Sequence, residues 1–118
     1  ALLASALENV VRNALRHTAP GTAVGVALKE TGSRIVLSVR DHGPGVEEQE
    51  LQRIFQPFYR SDAARDRRSG GVGLGLAIAK RAVERHGGSI RASLASGGGL
   101  LVEIVLPREV RRDAERRA

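Results

Sequence analysis

One stretch of the chain combines a strand pattern with a sharp break: Ile35-Val36-Leu37-Ser38-Val39-Arg40-Asp41-His42-Gly43-Pro44-Gly45. Apolar residues recur at every second position from Ile35 to Val39, which predicts a β-strand with one buried face. The residues from Asp41 to Gly45 are turn formers and end that strand abruptly. The sequence therefore places a carboxylate directly at the end of a buried strand.

The residues before this strand predict a helix and a strand. Residues 2–17 carry apolar side chains on one arc at helical spacing and polar side chains opposite, the pattern of an amphipathic helix. The alternating run from Val24 to Leu28 predicts a strand. The turn Thr31-Gly32-Ser33 joins it to the next strand, so we expect a β-hairpin.

The second half of the chain repeats the order of helix and hairpin. A short helix is predicted over about Glu47–Ile54, and a loop without periodicity runs from Gln56 to Gly73. A helix is predicted over about Leu74–His86, and residues 90–94 then pair with residues 102–106 across three glycines. We predict an α+β fold, a two-layer sandwich with helices on one face of a mixed, mostly antiparallel sheet.

Length and composition restrict the classes of protein. The chain has 118 residues, which fits one domain, and it has no cysteine, so disulfides and thiolate metal sites are excluded. No apolar run approaches the ~20 residues that span a bilayer, and no signal-peptide pattern opens the chain. The chain contains no methionine, so we expect it to be a piece of a longer protein.

The formal net charge of +6 raises the question of a nucleic-acid partner. The basic residues are concentrated in Arg60–Arg68 and in the tail Arg108–Arg117, where acidic residues offset part of the charge. The three aromatic residues lie together at residues 55–59 rather than along a stacking surface. We therefore expect no nucleic-acid partner, and a basic nucleic-acid-binding module remains the alternative from a different class.

Asn9, Asn13 and Arg16 share one face of the predicted first helix, opposite its apolar stripe. Asparagine is a mediocre helix former, so two of them in mid-helix need a reason. An amide oxygen suits Mg²⁺, and an arginine one turn further suits phosphate oxygens. A solvated polar face would show the same pattern, so the spacing alone does not distinguish a magnesium and phosphate site from a solvated face.

Asp41, Gly43 and Gly45 form the second candidate site. Glycine lets a ligand approach the backbone closely, and a carboxylate there can accept a hydrogen bond from an exocyclic amine such as that of adenine. An ordinary turn has the same composition.

The third candidate is the glycine-rich run from Gly70 to Leu76, which leads directly into the predicted second long helix. Free N–H groups and the positive end of a helix dipole make such a start a phosphate-binding site. The spacing of Gly71, Gly73 and Gly75 does not match the dinucleotide fingerprint, and no Walker sequence occurs. A phosphate site of another type is predicted.

Taken in order, four motifs resemble the ATP-binding catalytic domain of bacterial sensor histidine kinases. The resemblance extends from about Leu2 to Pro107, and the run from Ile54 to Arg67 is especially similar to the envelope-stress (Cpx-type) sensor kinases. The motifs match the family's N box, first glycine box, phenylalanine box and second glycine box: Asn9-x-x-x-Asn13-Ala14, Asp41-x-Gly43-x-Gly45, Phe55-x-x-Phe58 and Gly71-x-Gly73-x-Gly75.

The resemblance implies a Bergerat fold over residues 1–107, an ATP lid at about 46–72 and a basic tail at 108–118. It also implies ATP and Mg²⁺ as cofactors. Asn13 would coordinate the Mg²⁺, Asp41 would bind the adenine amino group, and Arg60 would neutralise charge on the transferred γ-phosphoryl. The other residues that the resemblance assigns to the nucleotide site are Asn9, Arg16, His17, Gly43, Gly45, Phe58, Gly71, Gly73, Leu74, Gly75 and Leu76.

The chain departs from the family pattern at two positions. The family usually has tyrosine where His17 stands and often threonine where Val72 stands, so we expect somewhat weaker nucleotide binding. In ATP-hydrolysing relatives a glutamate four positions before the magnesium asparagine activates water, whereas this chain has Asn9 there. The resemblance therefore favours transfer of the phosphoryl group over its rapid hydrolysis.

The resemblance implies that the phosphate goes to a histidine on a separate dimerisation and phosphoacceptor domain of the same kinase and then to the receiver domain of a response regulator. We expect the isolated chain to be a monomer that does not phosphorylate itself. The parent would be a homodimeric inner-membrane sensor, with this domain in the cytoplasm. An anti-sigma-type serine kinase of the same superfamily is the alternative, and the phenylalanine box speaks against it. Phe55 and Phe58 are expected to serve both as core and as anchors of the lid.

Overall fold

The computed structural model describes residues 2–59 and 74–108. Two helices and four strands follow one another in the predicted order. They are α1 (Leu2–His17), β1 (Gly25–Thr31), β2 (Arg34–Arg40), α2 (Gly75–Arg85), β3 (Ser89–Leu94) and β4 (Leu100–Pro107). Both predicted long helices and both predicted hairpins are confirmed, with boundaries that differ by no more than a few residues.

The four strands form one sheet in the order β1-β2-β4-β3, and every strand pair in this described part of the chain is antiparallel. Each hairpin supplies two neighbouring strands, and the pairing of β2 with β4 joins the hairpins. Val39 faces Val102 and Leu37 faces Ile104 in that central pairing. Because side chains alternate along a strand, these four residues share one face of the sheet.

The hydrophobic core lies between this face and the two helices. α1 and α2 pack against each other, and α1 also contacts β2 while α2 contacts β3. Ala6, Val10 and Ala14 recur at helical spacing and are buried, so the apolar stripe predicted for residues 2–17 is confirmed. The other buried apolar residues are Val39, Ile54, Phe55, Leu76, Ala79, Ala82, Val83, Ile90, Leu100, Val102 and Ile104.

The edge strand β1 differs from expectation. Its apolar side chains alternate as predicted, but every residue of the strand is exposed, and Leu28 keeps 64% of its surface. The two helices contact β2 and β3, so the helical layer is centred away from β1. Periodicity identified the strand correctly, whereas its burial depends on which neighbours cover it.

The segment after Gly45 contains a second difference. The short helix predicted over Glu47–Ile54 is replaced by two 3₁₀ turns, Glu48–Glu50 and Arg53–Phe55. An isolated helix of eight residues is too short to stabilise itself, and the chain breaks so that Ile54 and Phe55 enter the core.

Phe58 corrects another expectation. Phe55 is a core residue as predicted, but Phe58 is 68% exposed and has a φ of 66°. About half of the predicted lid, residues 60–72, lies outside the described residues, as does the tail beyond Arg108. Within the described ranges, no helix has the length and apolar character that a membrane span requires.

We expect Ile104→Ala to lower the free energy of unfolding by about 2–5 kcal/mol, because Ile104 is 2% exposed in the middle of the sheet. Leu28→Ala, a matched control on the same face of the sheet, should cost about 0.5 kcal/mol or less, since that side chain is already in water. Urea unfolding followed by circular dichroism measures both. Equal losses would contradict the assignment of the core to the β2–β4 side of the sheet.

Candidate functional site

α1 carries one set of candidate residues beside its buried stripe and not opposite it as predicted, because Asn9 and Asn13 each follow a buried residue of the stripe, Ala6 or Val10, by three positions. Asn9 and Asn13 are partly buried and Arg16 is exposed. Between Asn9 and His17 the helix axis rises by about 12 Å. The helix therefore carries the amides of Asn9 and Asn13 and the guanidinium of Arg16 in one row, which leads to its last residue, His17.

The beginning of this row meets the start of α2. The Asn9 amide nitrogen donates to the carbonyl of Ser5 at 3.0 Å, which leaves the Asn9 oxygen free to face outward from α1. A Cβ placed on Gly75 would lie 3.5 Å from that oxygen. Asn9 thus lies next to the first turn of α2.

The N-terminus of α2 has features of an anion-binding site. Leu74 occupies the capping position and offers no side-chain hydrogen bond, and the first turn contains no acidic residue. Among the described residues no side chain caps the first N–H groups of the helix, and the helix dipole adds positive potential there. Leu76 is buried and fixes this turn against the core.

Asp41 is the buried polar centre of the site, with 3% of its surface exposed. Its Oδ1 accepts two backbone hydrogen bonds, from the N–H of Gly43 at 2.9 Å and from that of Leu100 at 3.1 Å. The other carboxylate oxygen makes no hydrogen bond with a described residue.

Two glycines make this arrangement possible by close backbone contact. A Cβ on Gly43 would lie 2.1 Å from the carbonyl oxygen of His17, and a Cβ on Gly99 would lie 2.0 Å from the carbonyl oxygen of Asp41. Real Cβ atoms do not approach so closely, so both positions require glycine. The end of α1, the Asp41 turn and the β3–β4 turn consequently meet at one point.

His42 attaches the Asp41 turn to the loop that follows α1. Its N–H donates to the hydroxyl of Thr18 at 2.9 Å, and its Nδ1 lies 2.8 Å from the carbonyl of Ala23. Ala19 in turn donates its N–H to the His42 carbonyl at 3.3 Å. The residue between Asp41 and Gly43 therefore has a structural role.

The structure assembles the predicted residues into two connected groups on α1. Asn9 meets Gly75 at one end, and His17 meets Gly43 and Asp41 at the other. Gly45 lies against the β3–β4 turn, where its Cβ would be 3.6 Å from the Gly99 oxygen. Arg60, Gly71 and Gly73 lie outside the described residues.

Sequence reasoning missed Gly99 and Leu100, which hold Asp41 from the opposite hairpin. The three consecutive glycines at 97–99 predicted a turn but gave no indication of its contact with residue 41. A contact between residues 59 positions apart is not visible in local spacing. In the ranges 2–59 and 74–108, no three His, Cys, Asp or Glu side chains are grouped as metal ligands.

Comparison with known families agrees with this geometry. The family model described as histidine kinase-, DNA gyrase B- and HSP90-like ATPase matches residues 1–110. The chain belongs to this family. The two glycine-bearing turns and the asparagine row are thus parts of an ATPase-family domain.

Two curated relatives belong to the sensor kinase branch of the family. The sensor histidine kinase CpxA of Escherichia coli K12 is 50% identical over 105 residues, which cover 89% of this chain and 22% of CpxA. The sensor-like histidine kinase SenX3 of Mycobacterium tuberculosis H37Rv is 39% identical over 106 residues, covering 90% of this chain and 26% of SenX3. The similarity predicted to Cpx-type kinases is confirmed, and the chain spans about a quarter or less of each relative.

Solved structures share the fold. A mycobacterial sensor histidine kinase, MprB, superposes with a TM-score of 0.80 at 40% identity, covering 87% of this chain and 70% of the MprB chain. Full-length ShkA in complex with AMPPNP superposes with a TM-score of 0.76 at 32% identity, covering 90% of this chain and 21% of ShkA. These neighbours confirm the predicted α/β sandwich of the Bergerat type.

We expect Gly43→Ala to lower the free energy of unfolding by about 2 kcal/mol or more, because the new methyl group would overlap the His17 carbonyl. Gly25→Ala is the matched control, since nothing lies within 4 Å of its Cβ, and it should change stability by about 0.5 kcal/mol or less. Thermal unfolding measures both. If the two variants were equally stable, α1 and the Asp41 turn would not be in contact.

Proposed function

We propose that this domain binds ATP with Mg²⁺ and delivers the γ-phosphoryl group to a histidine on a separate dimerisation domain of a sensor histidine kinase. The observation that carries the proposal is the buried carboxylate of Asp41, in which one oxygen accepts two N–H groups and the other, which we call the open oxygen, makes no hydrogen bond with a described residue. The match to the ATPase family and the identity to named sensor histidine kinases support it.

The adenine base would bind at the Asp41 end of the site. The open carboxylate oxygen is an acceptor, which suits the exocyclic amino group of adenine and repels the carbonyl oxygen that guanine has at the same position. Gly43 and Gly45 leave room for the flat base beside the backbone. His17 ends α1 at this point, and its ring would stack near the base.

The phosphates would bind at the other end, between α1 and the start of α2. The first N–H groups of α2, which no described side chain caps, attract phosphate oxygens. Arg16, which lies nearer the Asp41 end of α1, would add positive charge between the base and the phosphates. Leu74 and Leu76 would line this end through their backbone. The neighbour ShkA was solved in complex with AMPPNP, which supports a nucleotide in this fold. Arg60, Gly71 and Gly73 remain proposed contacts outside the described residues.

The donor set on α1 fits a magnesium ion. Asn13 is partly buried, and its amide makes no hydrogen bond to another residue of the described ranges, so its oxygen is available as a neutral, hard ligand. Bound Mg²⁺ would neutralise charge on the phosphates. Asn9 would hold the adjacent turn of α2 in place through its contact with Gly75.

Phosphoryl transfer requires positioning and charge neutralisation rather than covalent chemistry from the protein. Asn9 is an amide that cannot take a proton from water, and its nitrogen is already bonded to Ser5. The site therefore favours holding ATP for a protein nucleophile over hydrolysing it.

Exposed apolar side chains near the lid suggest where the dimerisation domain contacts this one. Phe58 is 68% exposed and Ile78, on the outer side of α2, is 47% exposed. We propose that both face the phosphoacceptor domain in the parent homodimer, and that a response regulator then receives the phosphate. The identity to CpxA and SenX3 supports a parent that is a sensor histidine kinase, and we propose that this parent is bound to the inner membrane with this domain in the cytoplasm.

We expect Asp41→Asn to weaken ATP binding by about 10- to 100-fold, the value of one charge-assisted hydrogen bond. The asparagine oxygen can still accept from Gly43 and Leu100, so the fold should survive, but the NH₂ group cannot accept from adenine. Titration with ATP and with GTP measures the change, and the preference for ATP should fall. Unchanged ATP affinity would exclude Asp41 from base recognition.

We expect Asn13→Ala to remove most of the increase in ATP affinity that Mg²⁺ produces, by about tenfold or 1.4 kcal/mol. Glu8→Gln, an exposed neighbour on α1, is the control and should leave the increase intact. Fluorescent ATP analogue titrations with and without Mg²⁺ measure it. A full magnesium effect in Asn13→Ala would place the metal elsewhere.

We expect the isolated chain to incorporate no stable label from γ-labelled ATP, because its three histidines lie in none of the family's phosphoacceptor context. Addition of the separately expressed phosphoacceptor domain should yield an acid-labile label on that domain. The control is the same domain with its phosphoacceptor histidine replaced by glutamine. Label on the isolated chain, or none on the added domain when ATP is bound, would count against the proposed transfer.

A further inference from the structure

Arg40 connects β2 to a turn far along the chain. It follows the buried Val39, so it points to the face of the sheet that the helices leave uncovered. Its Nη2 donates two hydrogen bonds, to the carbonyl of Ser96 at 2.7 Å and to that of Gly98 at 3.0 Å. The guanidinium thereby holds the turn between β3 and β4, residues 95–99, which we call the glycine turn.

The glycine turn needs such a contact to adopt one conformation. Gly97, Gly98 and Gly99 all have positive φ angles, of 85°, 107° and 96°. Glycine loses more conformational entropy on ordering than any other residue. The backbone hydrogen bonds within the turn join Ala95 to Gly98 and Gly99. Arg40, which is not part of the turn, adds two further hydrogen bonds that restrict the turn's conformation.

The glycine turn in turn sets the position of the Asp41 carboxylate. Gly99 is buried against the Asp41 backbone. The next residue, Leu100, exchanges two hydrogen bonds with Asp41. Its N–H donates to Oδ1 at 3.1 Å, and its carbonyl accepts the Asp41 N–H at 3.0 Å. A shift of the turn would therefore change the direction of the second carboxylate oxygen.

The Nε of Arg40 is enclosed by protein and has no hydrogen-bond partner in the part of the chain that the structure describes. A buried N–H without a partner is destabilising. Burial of this N–H reduces the contribution of Arg40 to the stability of the fold. The two hydrogen bonds of its Nη2 nevertheless hold the glycine turn.

We propose that Arg40 is a positioning residue for base recognition, which holds the glycine turn so that Asp41 presents its second oxygen to the purine. The proposal rests on the proposed function, in which that oxygen binds the adenine amino group. Without Arg40 the carboxylate would sample more orientations. Affinity for ATP and selectivity over GTP would both fall, while the magnesium-dependent contribution at the far end of α1 would stay.

The experiment compares Arg40→Ala, Arg40→Lys and Arg34→Ala. Arg34 lies on the same strand and the same face, so Arg34→Ala removes the same charge about 20 Å from Asp41. We expect Arg40→Ala to bind ATP roughly tenfold more weakly with a smaller ATP-to-GTP ratio. Arg34→Ala should stay within about twofold, and Arg40→Lys should recover part of the loss because an ammonium can donate to both carbonyls.

A double-mutant cycle tests whether Arg40 acts through Asp41. In the Asp41→Asn background, Arg40→Ala should produce no further loss of ATP affinity. A second, full tenfold loss there, or an unchanged ATP-to-GTP ratio in the single variant, would overturn the positioning role.

Amide hydrogen exchange of the ligand-free protein gives a readout that needs no nucleotide. The Leu100 amide should exchange faster in Arg40→Ala than in the wild type, and Arg34→Ala should not change it. Equal exchange would overturn the inference even if ATP binds as proposed. If the wild type bound no ATP, the proposed function would fail, and the exchange rates would still decide whether Arg40 holds the turn.

Discussion

The rest of the site depends on one carboxylate oxygen that accepts two backbone N–H groups at once. Oδ1 of Asp41 bonds to Gly43 on its own turn and to Leu100 on the other hairpin. These bonds compensate for burying the charge, and the bond to Leu100 joins two residues that are 59 positions apart in sequence. These bonds restrict the orientation of the carboxyl group, and with it the position of the second oxygen of Asp41. Selective recognition of a small polar group requires such a restriction.

The elements that carry strong local patterns could be predicted from the sequence. The stripe of Ala6, Val10 and Ala14 indicated α1, and the alternation in β2 and β4 indicated paired strands with nearly correct ends. The candidate residues on α1 and in the Asp41 turn were singled out because their types are unusual for those positions, and their role in a nucleotide site stays a prediction. Their order along the chain, through its resemblance to a family, gave each one a role.

What the sequence could not predict arises from contacts between distant segments. The exposure of Leu28 depends on where the helices lie over the sheet, and the exposure of Phe58 depends on a backbone turn that no spacing encodes. The contact of Gly99 with Asp41 joins two hairpins. Local propensity cannot report any of these, since each is decided by tertiary packing.

α1 has two functions, because its buried stripe fills the core and the partly buried positions beside that stripe carry Asn9 and Asn13. Ala6 and Ala14 are the smallest apolar side chains that can form the inner side, and both are almost completely buried. Their size sets how deeply the helix sinks toward the sheet. The volume of the buried side chains of α1 thus sets the distance between its asparagine amides and the sheet. A larger residue at either alanine would therefore move the amides relative to a ligand, although the substituted residue itself would not contact the ligand.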